Sequence, residues 1–119
     1  MKYLLLIHHV EESEMDPVLR AQLLKESIEY CHELNRNGQY IDAAPLHPSS
    51  ETISVTLRDG KRLVTDGPFA ETREQIGGFF MVEARSMEEA VEIAGKLPSA
   101  RIGTVEVRPV RFVEGLPNT

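Results

Sequence analysis

Cysteine is nearly absent from this chain of 119 residues: Cys31 stands alone, so no intrachain disulfide can form. Long apolar runs are absent as well. Residues 3–7 are continuously apolar but stop at His8, too short a run for a signal-peptide core or a membrane span, and the expectation is a cytoplasmic protein with no membrane association. Basic charge is the minority. Thirteen Lys and Arg against nineteen Asp and Glu give a net charge of -6, and the basic residues are scattered. Binding nucleic acid through its phosphates needs a clustered basic face, so that class of function is excluded. Repeats, linkers and low-complexity segments are missing too.

What is present is ordinary globular material. Hydrophobic residues make up 41% and charged residues 27%, the balance of a folded domain. A single domain of this size buries roughly two thirds of its unfolded surface.

Residues 3–7 read as a strand buried on both faces. The acidic stretch 11–14 reads as a solvated loop. Asp16-Pro17 then supplies an N-cap and a proline at the first helical position, where the missing N–H costs nothing. Apolar residues recur at Val18, Ala21, Leu24, Ile28, Cys31 and Leu34, which predicts a helix over about 17–37 with that stripe buried, stopped by Gly38. His32 falls on another face from Cys31, so the two form no local catalytic pair.

Residues 40–46 read as a weaker strand ended by Pro45 and Pro48. Residues 52–57 alternate, Asp59-Gly60 is a two-residue hairpin turn, and residues 62–65 complete a β-hairpin. Residues 76–83 form another strand apolar on both faces. Ser86-Met87-Glu88-Glu89 is a capping box, the glutamate reaching back to the cap residue. Met87, Ala90, Val91, Ala94 and Leu97 line the short helix behind it, before Pro98. Residues 104–108 alternate up to Pro109, and residues 115–119 read as a loose tail.

Without the inserted hairpin, this order is βαββαβ, a ferredoxin-like α+β fold with both helices on one face of an antiparallel sheet. The two strands apolar on both sides take its central positions. That leaves an apolar sheet face uncovered, more than a monomer ordinarily exposes. The economical solution is a homodimer closed as a dimeric α+β barrel. If Val105 and Val107 lie under the helices, Glu106 and Arg108 point to the opposite side, joined there by one of His8 and His9. Polar groups in an apolar cavity describe either a small-molecule site or a satisfied interface network.

The chemistry concentrates in residues 65–78. Asp66, before Gly67-Pro68-Phe69, is either a general acid or base or a turn aspartate bonded to its own backbone. Phe69 and Arg73 are candidate ligand contacts at a cavity mouth, Arg73 for an anionic group. Glu106 and Arg108 are candidates for ligand binding or for an interface salt bridge. His8 and His9 are candidate partners of Asp66; being adjacent on a strand they face opposite ways and cannot share a metal ion, and no other spacing suggests a metal site. Gly77-Gly78 lacks the Lys-Ser/Thr and helix start of a phosphate loop, so it reads as a bend or a close approach. No nucleotide, haem or metal cofactor is indicated.

The ordered set Thr65-Asp66-Gly67-Pro68-Phe69, Glu71-Thr72, Glu74-Gln75, Gly77-Gly78 and Glu106-Val107-Arg108-Pro109 resembles the YCII-related family, specifically its DGPF branch, over nearly the whole chain. The resemblance implies a ferredoxin-like dimeric α+β barrel and an active site around an aspartate and a histidine. Asp66 matches the family aspartate; the first helix holds no histidine before His32, and His8 or His9 is the partner that strand alternation offers. It implies no particular reaction. Relatives of this type occur beside sigma factors of the extracytoplasmic-function class, so the alternative to small-molecule acid–base chemistry is a non-catalytic sensing or partner-binding module in transcriptional regulation.

Overall fold

Strand β1 (Lys2–His9) runs through the middle of the computed structural model, which describes residues 1–117. The end of the expected tail, residues 118–119, lies outside the described residues. After β1 come α1 (Pro17–Arg36), β2 (Tyr40–Pro45), β3 (Ile53–Arg58), β4 (Lys61–Asp66), β5 (Gln75–Glu83), α2 (Met87–Gly95) and β6 (Thr104–Pro109). The main sheet has the order β2-β5-β1-β6, all antiparallel, and β3–β4 form a separate two-stranded sheet. This is the ferredoxin-like arrangement with an inserted hairpin, and the two strands apolar on both faces are the central ones.

Period-two alternation divides the sheet into two faces. Tyr3, Leu5 and Ile7 of β1 and Phe80 and Val82 of β5 point to the helices and pack with Tyr30, Leu34, Ala90, Ile93 and Ala94. Leu5 is fully buried, and burial of such a side chain contributes about 1.5–3 kcal/mol. The Tyr30 hydroxyl donates to the Ile93 carbonyl at 2.8 Å, tying α1 to α2. Leu4, Leu6, Phe79 and Met81 point the other way and are only half-buried, outside the core under the helices.

The helix ends follow from their caps. Asp16 accepts from the Leu19 N–H at 3.1 Å, and Ser86 accepts from the Glu89 N–H at 3.2 Å. Glu89 reaches back one residue further than the capping box predicts, accepting from the N–H of Arg85 at 3.1 Å while Arg85 also pairs with it by its guanidinium. That guanidinium holds the Glu89 carboxyl below its ordinary value.

The buried stripe of α1 differs from its expected line. Leu23, Tyr30 and Leu34 are buried, whereas Val18, Leu24 and Ile28 are exposed. Val18 lies in the first turn, ahead of the packed region. Leu24 and Ile28 border a cavity, and Cys31 lines that cavity while also packing against the core.

The hairpin stands away from the body. Asp59 (φ 49°) and Gly60 (φ 75°) both occupy the left-handed region, which a type I′ turn requires and Asp-Gly permits. The base of the hairpin is pinned where the Gly67 N–H donates to the Thr52 carbonyl at 2.7 Å and the Ser54 hydroxyl donates to the Gly67 carbonyl at 2.8 Å. The radius of gyration is 16.2 Å and the molecule measures 47 × 44 × 21 Å. A compact chain of this length has a radius near about 13–14 Å, and the projecting arm accounts for the excess.

Candidate functional site

Between α1 and the sheet lies a cavity of about 220 Å³. Ile7, Ala43, Ala44, Gly78 and Phe80 form its sheet wall, and Leu23, Leu24, Ser27, Ile28 and Cys31 its helix wall. It exists in part because the β2 side chain that faces α1 is small: Ala43, paired with Phe80, leaves room that a larger side chain would fill, while Ala44, paired with Phe79, turns its methyl to the other side. Glu12 and Met15, from the turn after β1, and Ser99 and Ile102, beyond α2, complete the lining. The interior is mainly apolar, with a few polar groups in its lining.

His9 is the buried polar group of that lining. It is the one buried polar residue among those described, 9% exposed. Its Nδ1 lies 2.6 Å from the carbonyl oxygen of Val10. A carbonyl only accepts, so Nδ1 carries the hydrogen and Nε2 is left with its lone pair when the ring is neutral.

The ring has its place because of Gly77. The register of β1 on β5 shifts between Ile7 and His8, Ile7 facing Gly78 and His8 facing Ile76. Gly77 is the extra residue of this bulge, and a β-carbon there would collide with the His9 ring. The glycine pair is thus a bend and a close approach together, as its sequence context suggests.

His9 also borders a small second cavity of about 30 Å³, together with Glu11, Glu12, Leu46, His47 and Gln75. That space shares Leu46, His47, Pro48, Gln75 and Ile76 with an open groove of about 510 Å³ beside Pro68 and Phe69. The loops here are tied down. The Ser49 hydroxyl and N–H both donate to Glu11, and Gln75 donates to the Thr72 carbonyl at 2.9 Å.

His8 points the opposite way from His9, as strand alternation requires. On the open face its Nε2 lies 2.8 Å from Glu106, which also meets Arg108 at 3.4 Å. The three polar residues expected opposite the helices therefore do come together, but outside the cavity, on the uncovered side of the sheet. Asp66 ends β4 on the arm, exposed; among the described residues no hydrogen bond or ion pair reaches its carboxylate. It bonds neither histidine nor the turn that follows it. Phe69 is 95% exposed at the groove, and Arg73 is exposed in the loop beyond.

Cys31 is half-buried in the cavity wall. Burial pushes its thiol above the ordinary value, against an opposing backbone hydrogen bond, so it presents a neutral thiol rather than a nucleophilic thiolate. Among the described residues, no group of three His, Cys, Asp or Glu is placed to hold a metal ion. No helix among them is long and apolar enough to cross a membrane.

Sequence reasoning missed Ser27, Ala43 and Ala44 as cavity residues and placed Glu12 in a solvated loop. Ser27 and the Ala-Ala pair carry a faint signal, being small where a helix stripe and a strand ordinarily place bulk.

The fold is similar to that of 5-chloro-2-hydroxyhydroquinone dehydrochlorinase from Burkholderia phenoliruptrix AC1100, solved in complex with 2,5-dihydroxybenzoquinone. The TM-score is 0.54 at 14% identity, over 96% of this chain and 97% of that one, a likeness of fold alone. Uncharacterized protein R00369 of Rhizobium meliloti (strain 1021) is 40% identical over 80 residues, spanning 60% of this chain and 64% of that protein. The profile of the YCII-related domain matches residues 1–114.

Proposed function

The chain belongs to the YCII-related domain family, and from that premise we propose that it binds a small, largely apolar one-ring molecule between α1 and the sheet and exchanges a proton with it through His9. The observation that carries this reading is the Nδ1 contact to the Val10 carbonyl. It holds the imidazole in one tautomer and leaves Nε2 as the acid–base atom. An apolar cavity of about 150 Å³ holds benzene, so the space here suits one ring with a substituent or two. A substituent bearing an O–H or an acidic C–H at the His9 end has its proton acceptor in place.

In this reading His9, rather than Asp66, takes the acid–base role, and Asp66 belongs to the arm. His8, Glu106 and Arg108 belong to the open face, where a second copy packs its own sheet and closes an α+β barrel. The uncovered row Leu4, Leu6, Phe79 and Met81 supports that homodimer. Membership of the DGPF branch and cytoplasmic residence complete the proposal, supported by residues 65–78 and by the lack of a second cysteine.

The test is a thermal-shift and native mass spectrometry screen of hydroxylated one-ring compounds, a class suggested also by the 2,5-dihydroxybenzoquinone in complex with the dehydrochlorinase. Binding that depends on the ring, together with a turnover that falls by about 10²-fold or more in His9→Asn, is expected. Turnover unchanged in that variant overturns the role of His9. The second reading, a non-catalytic ligand-sensing or partner-binding module tied to sigma-factor regulation, is favoured by the exposed arm; it expects binding without turnover in wild type.

A further inference from the structure

The arm formed by β3 and β4 carries an apolar face that stays exposed among the described residues. Cross-strand partners share a face, and the register pairs Ile53 with Asp66, Val55 with Val64 and Leu57 with Arg62. These six residues form one side of the hairpin. Thr56, Ser54, Thr65 and Lys61 lie on the other, which is polar apart from Leu63. On the first side Ile53, Val55, Leu57 and Val64 are each between 55% and 71% exposed. An isolated two-stranded hairpin is marginal in water, and four uncovered aliphatic side chains make its free state more costly still.

The charges say what covers it. Asp66 stands at the base of this face and Arg62 near its tip, on the same strand, and among the described residues no hydrogen bond or ion pair reaches either side chain. Two copies packed face to face about a twofold axis across the arm bring each residue of the first row over the third row of the partner. Asp66 then meets Arg62 of the second copy twice, Ile53 meets Leu57 twice, and Val55 and Val64 each meet themselves at the axis. An arrangement with the arms running the same way leaves both charges against aliphatics. From this self-complementarity we infer that the arms of two copies pair antiparallel through the face of Ile53, Val55, Leu57 and Val64, sealed at both ends by Arg62–Asp66 ion pairs.

This inference rests on the homodimer part of the reading above and is independent of the chemistry at His9. In a Cys31→Ser background the double variant Arg62→Cys, Asp66→Cys cannot close a disulfide within one arm. The two positions are about 13 Å apart along a strand, beyond the about 7 Å between Cα atoms that a disulfide spans. Mild oxidation is expected to give a covalent dimer from the double variant and little from either single variant. Arg62→Asp or Asp66→Arg alone weakens the dimer by about tenfold or more, and the two reversals together restore it. Val55→Asp weakens the dimer by about tenfold or more while leaving the circular dichroism spectrum unchanged. A wild-type dimer by light scattering with no cross-link and no effect of the reversals overturns the arm pairing and leaves the homodimer standing. A monomeric wild type overturns both.

Discussion

The imidazole of His9 occupies the space that a side chain on Gly77 would need. The two residues lie on neighbouring strands beside the β1–β5 bulge, so a missing β-carbon on one strand makes room for a buried imidazole on the other. That relationship is local enough to test by itself.

Gly77→Ala is expected to destabilise by about 1–3 kcal/mol through overpacking and to push the His9 ring from its position on the Val10 carbonyl. In a His9→Ala background the same methyl enters vacated space. Urea denaturation of the two single variants and the double should show a clear departure from additivity; additive losses would mean that Gly77 does not accommodate the ring.

Ser27→Leu is expected to fill part of the cavity from the α1 wall. Because the space is already open, the melting temperature should hold or rise by a few degrees, about the effect of other cavity-filling changes. Affinity for any one-ring ligand should fall by about tenfold or more. Unchanged affinity would place the ligand elsewhere.

Cys31 is expected to react slowly with iodoacetamide in the folded protein and at an ordinary rate in urea, since burial raises its thiol and restricts access. A ligand in the cavity should slow the folded reaction further, read by intact mass. Rapid alkylation of the folded chain would contradict the half-buried thiol.

Tyr30 donates to the Ile93 carbonyl, and burial, helped by the nearby Glu33 carboxylate, pushes its hydroxyl from 10.0 up to about 12. The folded state therefore holds this proton more tightly than the unfolded state. Its contribution is complete below pH 10 and is lost as pH rises from there through about 12. Denaturant midpoints measured near pH 9 and near pH 11, about one unit either side of the unfolded value, should fall more in wild type than in Tyr30→Phe. Equal falls would remove Tyr30 from the alkaline loss.

Sequence patterns by themselves determined the element order, the hairpin turn at Asp59-Gly60, the two central strands and the opposite facing of His8 and His9. These depend on periods of two and 3.6 residues and on caps and turns, interactions that span only a few positions. Tertiary structure alone decided which histidine is buried and which face of α1 meets the core. Leu24, Ile28 and Cys31 form a regular stripe, yet they border a cavity because Ala43, on a strand distant in sequence, is too small to fill it. The arm's free face is a third such case, since periodicity sorts Ile53, Val55 and Leu57 onto one side without saying what lies against them. Residues 65–78 supplied the family pattern, whereas the buried imidazole is that of His9, placed by a glycine at the end of that stretch. The physical reason is the same throughout: local pattern dictates backbone and facing, and cavities and burial depend on the sizes of residues brought together from far apart in the chain.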